Sequence, residues 1–507
     1  MLKKLLSVSG FTLLSRITGF ARDALQAWTL GAGFLGDAFV VAFLFPNYFR
    51  AIFGEGTINP AFLPRYAALK ARGEDAEAAQ FANQVFAWQL AAQLVLLVLA
   101  ILFMPQIIGV IAPGWSGERL AMTVSFARIT FPYLIMTLVA VQLSAMLNAI
   151  DRFWAGAFWS NLQNLAMIAT LLLWHWFPNA GYAAAWGVFI GGVAQLVFIV
   201  WAGARDGLWL TIEVPRLSPQ MRAFFAAFGA VVLGSFSIVI APFIDTILAS
   251  LLPIGSRAAL YYADRINQLP LGVLGIALGT VLLPEMSARL ARGDAAGSSA
   301  AQNRSAAMNL LLTLPFTVTF LLIPGTIVRA FFRHGAFTAE AAQLCSFALM
   351  AYGAGLPAMA MLRIVQATFY ARHDTRTPAR ATVIALISNA ALKVLFVWGL
   401  HWGVAGLALG TALGAWINVL LLTFTGHSRA LLAIEKQFLQ ALGPALLAAL
   451  ACGGGAWVGV QLLQGHDDIA ALVAAMACAA IGYGGTIALF RRQLPLGRAP
   501  AQSAATK

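Results

Sequence analysis

The chain has 507 residues, 61% of them hydrophobic and 10% charged, with a mean hydropathy of +0.82. A soluble globular domain carries about 25% charged residues, so this composition reads as an integral membrane protein. Cys345, Cys452 and Cys478 lie in apolar runs without disulfide or metal-ligand spacing, and the net charge of +13 is scattered among short segments, which argues against a nucleic-acid partner.

A helix that crosses a membrane takes roughly 20 mainly apolar residues. Fourteen such segments start near residues 5, 37, 81, 121, 157, 182, 223, 258, 305, 342, 379, 404, 439 and 469. The first, second and eighth are weaker by hydropathy because they hold internal charge. With the N-terminus in the cytoplasm, 21 of the 32 Lys and Arg fall in cytoplasmic loops and tails, 4 in outside loops and 7 within segments. That bias supports the count and places both termini inside. The longest loops, near 203–222 and 287–304, are too short for a soluble catalytic domain, which takes about 50 residues or more.

The first segment opens with MLKKLLSVSG, but Arg16 interrupts the apolar run and no small-residue cleavage site follows cleanly, so it reads as a retained helix. On a helical wheel, Thr12, Ser15, Arg16, Gly19, Arg22, Asp23, Gln26 and Thr29 share one arc of roughly 140°. Leu13, Leu14, Ile17, Phe20, Leu25 and Trp28 take the other side. An arginine facing lipid at mid-membrane costs at least about 2.5–3.5 kcal/mol, so the polar arc faces protein or a water-filled cavity. A structural ion pair would be neutral; two arginines with one aspartate are not.

The second segment carries Pro46, Asn47, Arg50 and Glu55. Arg50 either lines a cavity or snorkels to the nearer interface. Asp37 opens the segment as its N-cap. The eighth segment, YYADRINQLPLGVLGIALGT, sets Tyr261, Asp264, Arg265 and Gln268 at helical spacing, with Gly272, Gly275 and Gly279 continuing the stripe. Pro270 is placed to break this helix where it lines a cavity. Arg128, Arg363 and Lys393 are single charges, expected near an interface or paired. Arginine binds phosphate in bidentate fashion, so the in-membrane arginines suit a diphosphate head group, with Asp23 orienting them.

A shift of 222 residues aligns Ser15 with Ser237, Asp23 with Asp245, Gly181 with Gly403 and Gly192 with Gly414. The expected architecture is all-α, with two parallel six-helix bundles (1–210 and 211–430), two further helices (431–490) and a cytoplasmic tail (491–507). Two bundles meeting at a cleft are a transporter arrangement.

The stretches SRITGFARDA, GDAFVVAFLFPNYFRAIFGEGTINPAFLPRY, YYADRINQLPLGVLGIALGTVLLP and FYARHDTRTP together resemble the MurJ/MviN lipid II flippases of the multidrug/oligosaccharidyl-lipid/polysaccharide exporter superfamily. The resemblance covers nearly the whole chain. It implies that lipid II, an undecaprenyl-diphosphate-linked peptidoglycan precursor, passes from the inner to the outer leaflet of the bacterial cytoplasmic membrane by alternating access, with no chemical catalysis. The family's cavity residues fall on Arg16, Arg22, Asp23, Arg50 and Arg265. Asp37, Glu55, Asp264 and Gln268 fall on gate or cavity positions, and the last two helices would hold the prenyl tail. Some members have an acid where this chain has Gln268, and a second arginine where it has Ala51. Some bind sodium, for which Asp245 is the better candidate here; Asp374, in the turn sequence HDTRTP, is the weaker. No cofactor is implied and GxxxxGK[ST] is absent, so energy would come from the membrane potential, an ion gradient or consumption of the product. Partners would be lipid II, membrane lipids and peptidoglycan-synthesis proteins. The rivals are an exporter of drugs or of another polyprenyl-linked saccharide, a membrane glycosyltransferase and a non-transporting scaffold.

Overall fold

The structure is a computed structural model that describes residues 2–50, 58–491 and 494. Most of these residues are helical, with no strand among them. In chain order the helices are α1 (Leu2–Leu30), α2 (Phe34–Phe49), α3 (Asn59–Ala71), α4 (Asp75–Leu102), α5 (Met104–Ile111), α6 (Gly117–Thr130), α7 (Tyr133–Ala149), α8 (Phe153–Leu172) and α9 (Ala180–Arg205). They continue with α10 (Pro219–Ser250), α11 (Ser256–Ala291), α12 (Ala295–Leu322), α13 (Pro324–Phe332), α14 (Ala339–Tyr370), α15 (Arg376–Val394), α16 (Gly403–Ser428), α17 (Lys436–Leu462) and α18 (Asp468–Phe490).

Each apolar segment read from the sequence coincides with a helix. Among the described residues, nine helical runs are long and apolar enough to cross a membrane: α4, α6 with α7, α9, α12, α14, Arg376–Gly399, α16, α17 and α18. The chain is therefore a multi-pass membrane protein. The apolar stretches of α10 and α11 lie in part outside the described side chains. The charged α1 is not among the nine, nor is the short α2. Nor is α8, where Asn161, Gln163 and Asn164 lower the hydropathy and are buried in protein. The fourth segment is divided at Phe131–Pro132, and α3, α5 and α13 are short helices that hydropathy did not mark. Pro270 does not break α11, which runs unbroken from Ser256 to Ala291 with Pro270 and Pro284 inside it. The missing N–H removes one ladder bond, which so long a helix absorbs.

Caps set several starts. Asn179 accepts from Tyr182 N at 3.2 Å ahead of α9, Ser218 from Met221 N at 3.2 Å with Pro219 first in α10, and Asp294 from Gly297 N at 2.7 Å ahead of α12. Side-chain oxygens thus satisfy amides that a helix start leaves unpaired.

The chain divides into two compact units, Met1–Ala258 with His334–Thr338 and Ala259–Arg333 with Ala339–Lys507. By compactness α10 falls in unit 1, where it packs on α3, α4 and α5; Phe224 meets Phe81 edge-on with ring centroids 6.2 Å apart. In unit 1 an aromatic cluster, with Phe39, Phe62, Tyr66, Phe81 and Phe126 almost fully buried, holds α2, α3, α4 and α6 together. The turn 334–338 belongs here because Ala336 N donates to Trp28 O at 2.8 Å. In unit 2, α14 lies against α16, where a Cβ on Gly355 would stand 2.6 Å from Ala412 Cα. In the same unit α17 pairs with α18, where a Cβ on Gly459 would stand 2.6 Å from Ala475 Cα.

Candidate functional site

The second half of the polar arc of α1, from Gly19 to Thr29, is directed into unit 1. Asp23 and Gln26 are 3% and 1% exposed, whereas Leu13, Ile17 and Trp28 on the other arc are exposed. Arg22 is held by two partners: Nε and Nη2 donate to Asp23 Oδ1 at 3.1 and 2.6 Å, and Nη1 donates to Asn164 Oδ1 of α8 at 3.0 Å. The Asn164 amide donates in turn to Ser15 O and Thr18 Oγ1, both at 3.1 Å. Arg22 is thus fixed by a carboxylate and an amide that are themselves fixed. Arg16, two turns earlier, is exposed, with no hydrogen bond or ion pair among the described residues. The two arginines of the motif are therefore unequal: one is clamped and one is open.

Asn161 and Asn164 were not singled out by sequence reading. Their signal is an i, i+3 pair of amides on one face of an otherwise apolar helix.

Asp37 lies one turn into α2, whose N-cap position is Gly33, so it does not cap its own helix. It caps α11 instead: its oxygens accept Gly255 N and Ala258 N, both at 2.7 Å, where the four free amides of a helix start and its dipole favour an anion. Arg119 of α6 completes the pair with Asp37 Oδ2 and stacks on Trp115 at 3.9 Å. The side chains of Asp37 and Arg119 are 0% and 12% exposed. By charge sorting Arg119 was an outside-loop residue; its burial is a tertiary result. The other three outside arginines are also engaged. Arg257 Nε donates to Thr246 Oγ1 at 3.0 Å, while Arg329 and Arg333 lie 2.9 and 3.9 Å from Asp468 oxygens.

Arg50 closes α2, half-buried, with Nη2 donating to Asn47 Oδ1 at 3.1 Å. Glu55 lies outside the described residues.

In unit 2 the stripe of α11 holds together. Arg265 lies over the Tyr261 ring at 4.7 Å and donates to Gln268 Oε1 at 3.4 Å; Gln268 donates to Asp264 Oδ2. Gln268 thereby bridges Arg265 and Asp264. Ile266, Leu269 and Pro270 of the same helix line an apolar groove of about 420 Å³. Phe316 of α12, Cys452 and Ala456 of α17, and Leu472 and Met476 of α18 complete it.

Asp374 engages in a turn. It accepts Thr377 N at 3.0 Å and Thr377 Oγ1 at 2.6 Å, and lies 3.3 Å from Arg429. The Thr377 hydroxyl, its amide and then Arg429 hold this carboxyl below the usual carboxylate range. Asp245 is half-buried in α10. Among the described residues no group of three or more His, Cys, Asp or Glu is arranged to hold a metal. Arg128 and Arg363 are exposed, and Lys393 is 1% exposed with its aliphatic chain against Gly410.

The helical scaffold is a transporter fold. An inward-facing multidrug resistance MATE family transporter of the MOP superfamily shares it at TM-score 0.67 and 17% identity, with 82% of this chain and 95% of that one covered. A solved lipid II flippase MurJ in an inward closed conformation matches at TM-score 0.80 and 26% identity, over 96% of this chain and 98% of that one. The family model of the lipid II flippase MurJ matches residues 26–467. A probable lipid II flippase MurJ of Rhizobium tropici is 37% identical, with 90% of this chain and 86% of the relative covered. The lipid II flippase MurJ of Burkholderia cenocepacia is 32% identical, with 97% and 99% covered. The chain belongs to the lipid II flippase MurJ family.

Proposed function

We propose that this chain flips lipid II across the bacterial cytoplasmic membrane by alternating access. It is a transporter of a lipid-linked precursor and not an enzyme. Family membership over nearly the whole chain supports this reading, and one observation carries it to the residues. Arg22 is immobilised by Asp23 and Asn164 while Arg16 is left exposed on the same helix face. A clamped guanidinium offers a rigid fork to phosphate, and a free one adds charge that adapts to the ligand.

In this reading Arg16, Arg22, Arg50 and Arg265 bind diphosphate oxygens. Asp23 orients Arg22, and Asp37, Glu55, Asp264 and Gln268 act at gate or cavity positions. The prenyl tail lies in the apolar groove between α12, α17 and α18. The head group then avoids the hydrocarbon core, where an unpaired polar group costs several kcal/mol. The finer topology is fourteen crossings as two six-helix repeats plus two helices, with both termini cytoplasmic. Transport draws on the membrane potential or an ion gradient, with Asp245 as the candidate sodium ligand. Peptidoglycan-synthesis proteins are the expected partners.

The test is a leaflet-resolved assay of lipid II in cells depleted of their native flippase. This chain should restore outer-leaflet lipid II, and Arg22→Ala and Arg265→Ala should fail at normal membrane levels. Full rescue by either variant would remove the phosphate site from this reading.

A further inference from the structure

Unit 1 contains a second apolar groove, separate from α1 and its arginines, of about 350 Å³. Trp88 of α4, Leu138 of α7, and Phe225 and Phe228 of α10 wall it. Small-molecule sites start at about 300 Å³. Two amides enter these apolar walls. Gln93 is 5% exposed, and neither its Nε2 nor its Oε1 has a partner among the described residues; Gln89 Nε2 is also without one. Both residues line the groove. A buried amide without a hydrogen bond is destabilising and calls for an explanation. A ligand group that completes it is one.

We propose that this groove binds an acyl chain of an anionic membrane phospholipid, with the ester carbonyl accepting from Gln93. The mouth identifies the source. Ala92, at the rim, is exposed, and Leu94, Val95, Val98 and Leu99 beside it on α4 are exposed apolar residues in a membrane-crossing helix. The groove therefore opens toward hydrocarbon, and its occupant comes from the bilayer. Depth fits an ester. Gln93 lies five residues along α4 beyond Trp88, whose indole meets the Arg216 carbonyl ahead of α10, or roughly 7–8 Å deeper at 1.5 Å per residue. Charge favours an anionic head group. Trp88 Nε1 donates to the carbonyl of Arg216 at 3.2 Å, so exposed Arg216 flanks the groove, and exposed Arg222 lies one turn before Phe225.

The full chain is reconstituted in vesicles containing phosphatidylglycerol with a diazirine in one acyl chain, irradiated, and mapped by peptide mass spectrometry. Labelling should concentrate on residues 85–96 and 224–228, above that on the exposed Leu420 and Phe424 of α16. Gln93→Leu, which keeps the shape and removes the amide, should lower groove labelling roughly fivefold and leave α16 labelling unchanged. Ala92→Trp, which blocks the mouth and retains Gln93, should do the same and covers the case in which Gln93→Leu fails to fold. Groove labelling equal to that of α16, or unaffected by both variants, would overturn the proposal in favour of ordered water between the amides. Equal labelling by a phosphatidylcholine probe would overturn the head-group preference.

Discussion

Arg22 of α1 and Asn164 of α8 meet side chain to side chain, Nη1 to Oδ1, at 3.0 Å. The contact gives the charged helix a fixed partner surface and makes Arg22 a different kind of arginine from Arg16. Asn164→Leu should release Arg22 Nη1 and remove the donor that Thr18 Oγ1 accepts. Rescue of flippase-depleted cells should fall, and purified protein should lose about 1–3 kcal/mol of stability, the usual cost of unpaired buried polar groups. Wild-type rescue with an unchanged melting curve would show that Asn164 is dispensable.

The two arginines should respond differently to lysine. A lysine at position 22 cannot bridge Asp23 and Asn164 with a planar fork, so Arg22→Lys should resemble Arg22→Ala. Arg16, exposed and unclamped, supplies charge, so Arg16→Lys should retain more rescue than Arg22→Lys. The check is a titrated-expression complementation series with membrane levels measured in parallel.

Asp37 and Arg119 form a buried pair, and the carboxylate also caps α11. Breaking one side of such a pair costs about 3–5 kcal/mol because a charge is left uncompensated. Asp37→Ala should therefore lower the thermal midpoint in detergent more than the double variant Asp37→Ala/Arg119→Met lowers it relative to Arg119→Met alone. Additive effects in this cycle would mean that the two side chains do not interact.

Asp374 gives a pH dependence. Its folded carboxyl is held below the ordinary value, chiefly by the Thr377 hydroxyl. Above the unfolded value, about 3.9, the whole contribution to stability is present. It is lost as pH falls through the depressed folded value. The stability difference between wild type and Asp374→Asn should thus be flat from neutral pH to about 5 and shrink below about 4. Melting curves across that range decide it; a difference that grows on acidification would contradict the assignment.

Adjacent glycines in α17 should behave oppositely. A Cβ on Gly455 would collide with the Cys478 carbonyl of α18, whereas one on Gly454 meets nothing within 4 Å. Gly454→Ala should be neutral or stabilising, since alanine is favoured by about 1 kcal/mol in a helix. Gly455→Ala should separate α17 from α18, lower the midpoint and distort the groove that they line. Equal effects would refute the close approach.

Hydropathy located the helices well because a span's composition is a local property. It ranked α1 and α11 low for the reason that makes them informative: they carry charge inside. No local pattern records the packing of α10 on α3, α4 and α5. Charge sorting placed Arg119 in a loop because it counts position along the chain. The structure buries it against Trp115 and Asp37.

The sequence alone determined the membrane class, the helical segments, the polar arc of α1, the stripe from Tyr261 to Gln268, and the family resemblance. All of these follow from residue type and periodicity along one element. The tertiary structure decided which groups meet: Asn164 with Arg22, Asp37 with the first turn of α11, and Arg119 with Asp37. Those partners lie 142, 218 to 221 and 82 residues apart. Helical periodicity says which face a side chain shares with its neighbours a turn away. It carries no information about which distant helix will be packed against that face, because packing depends on the shapes of both surfaces.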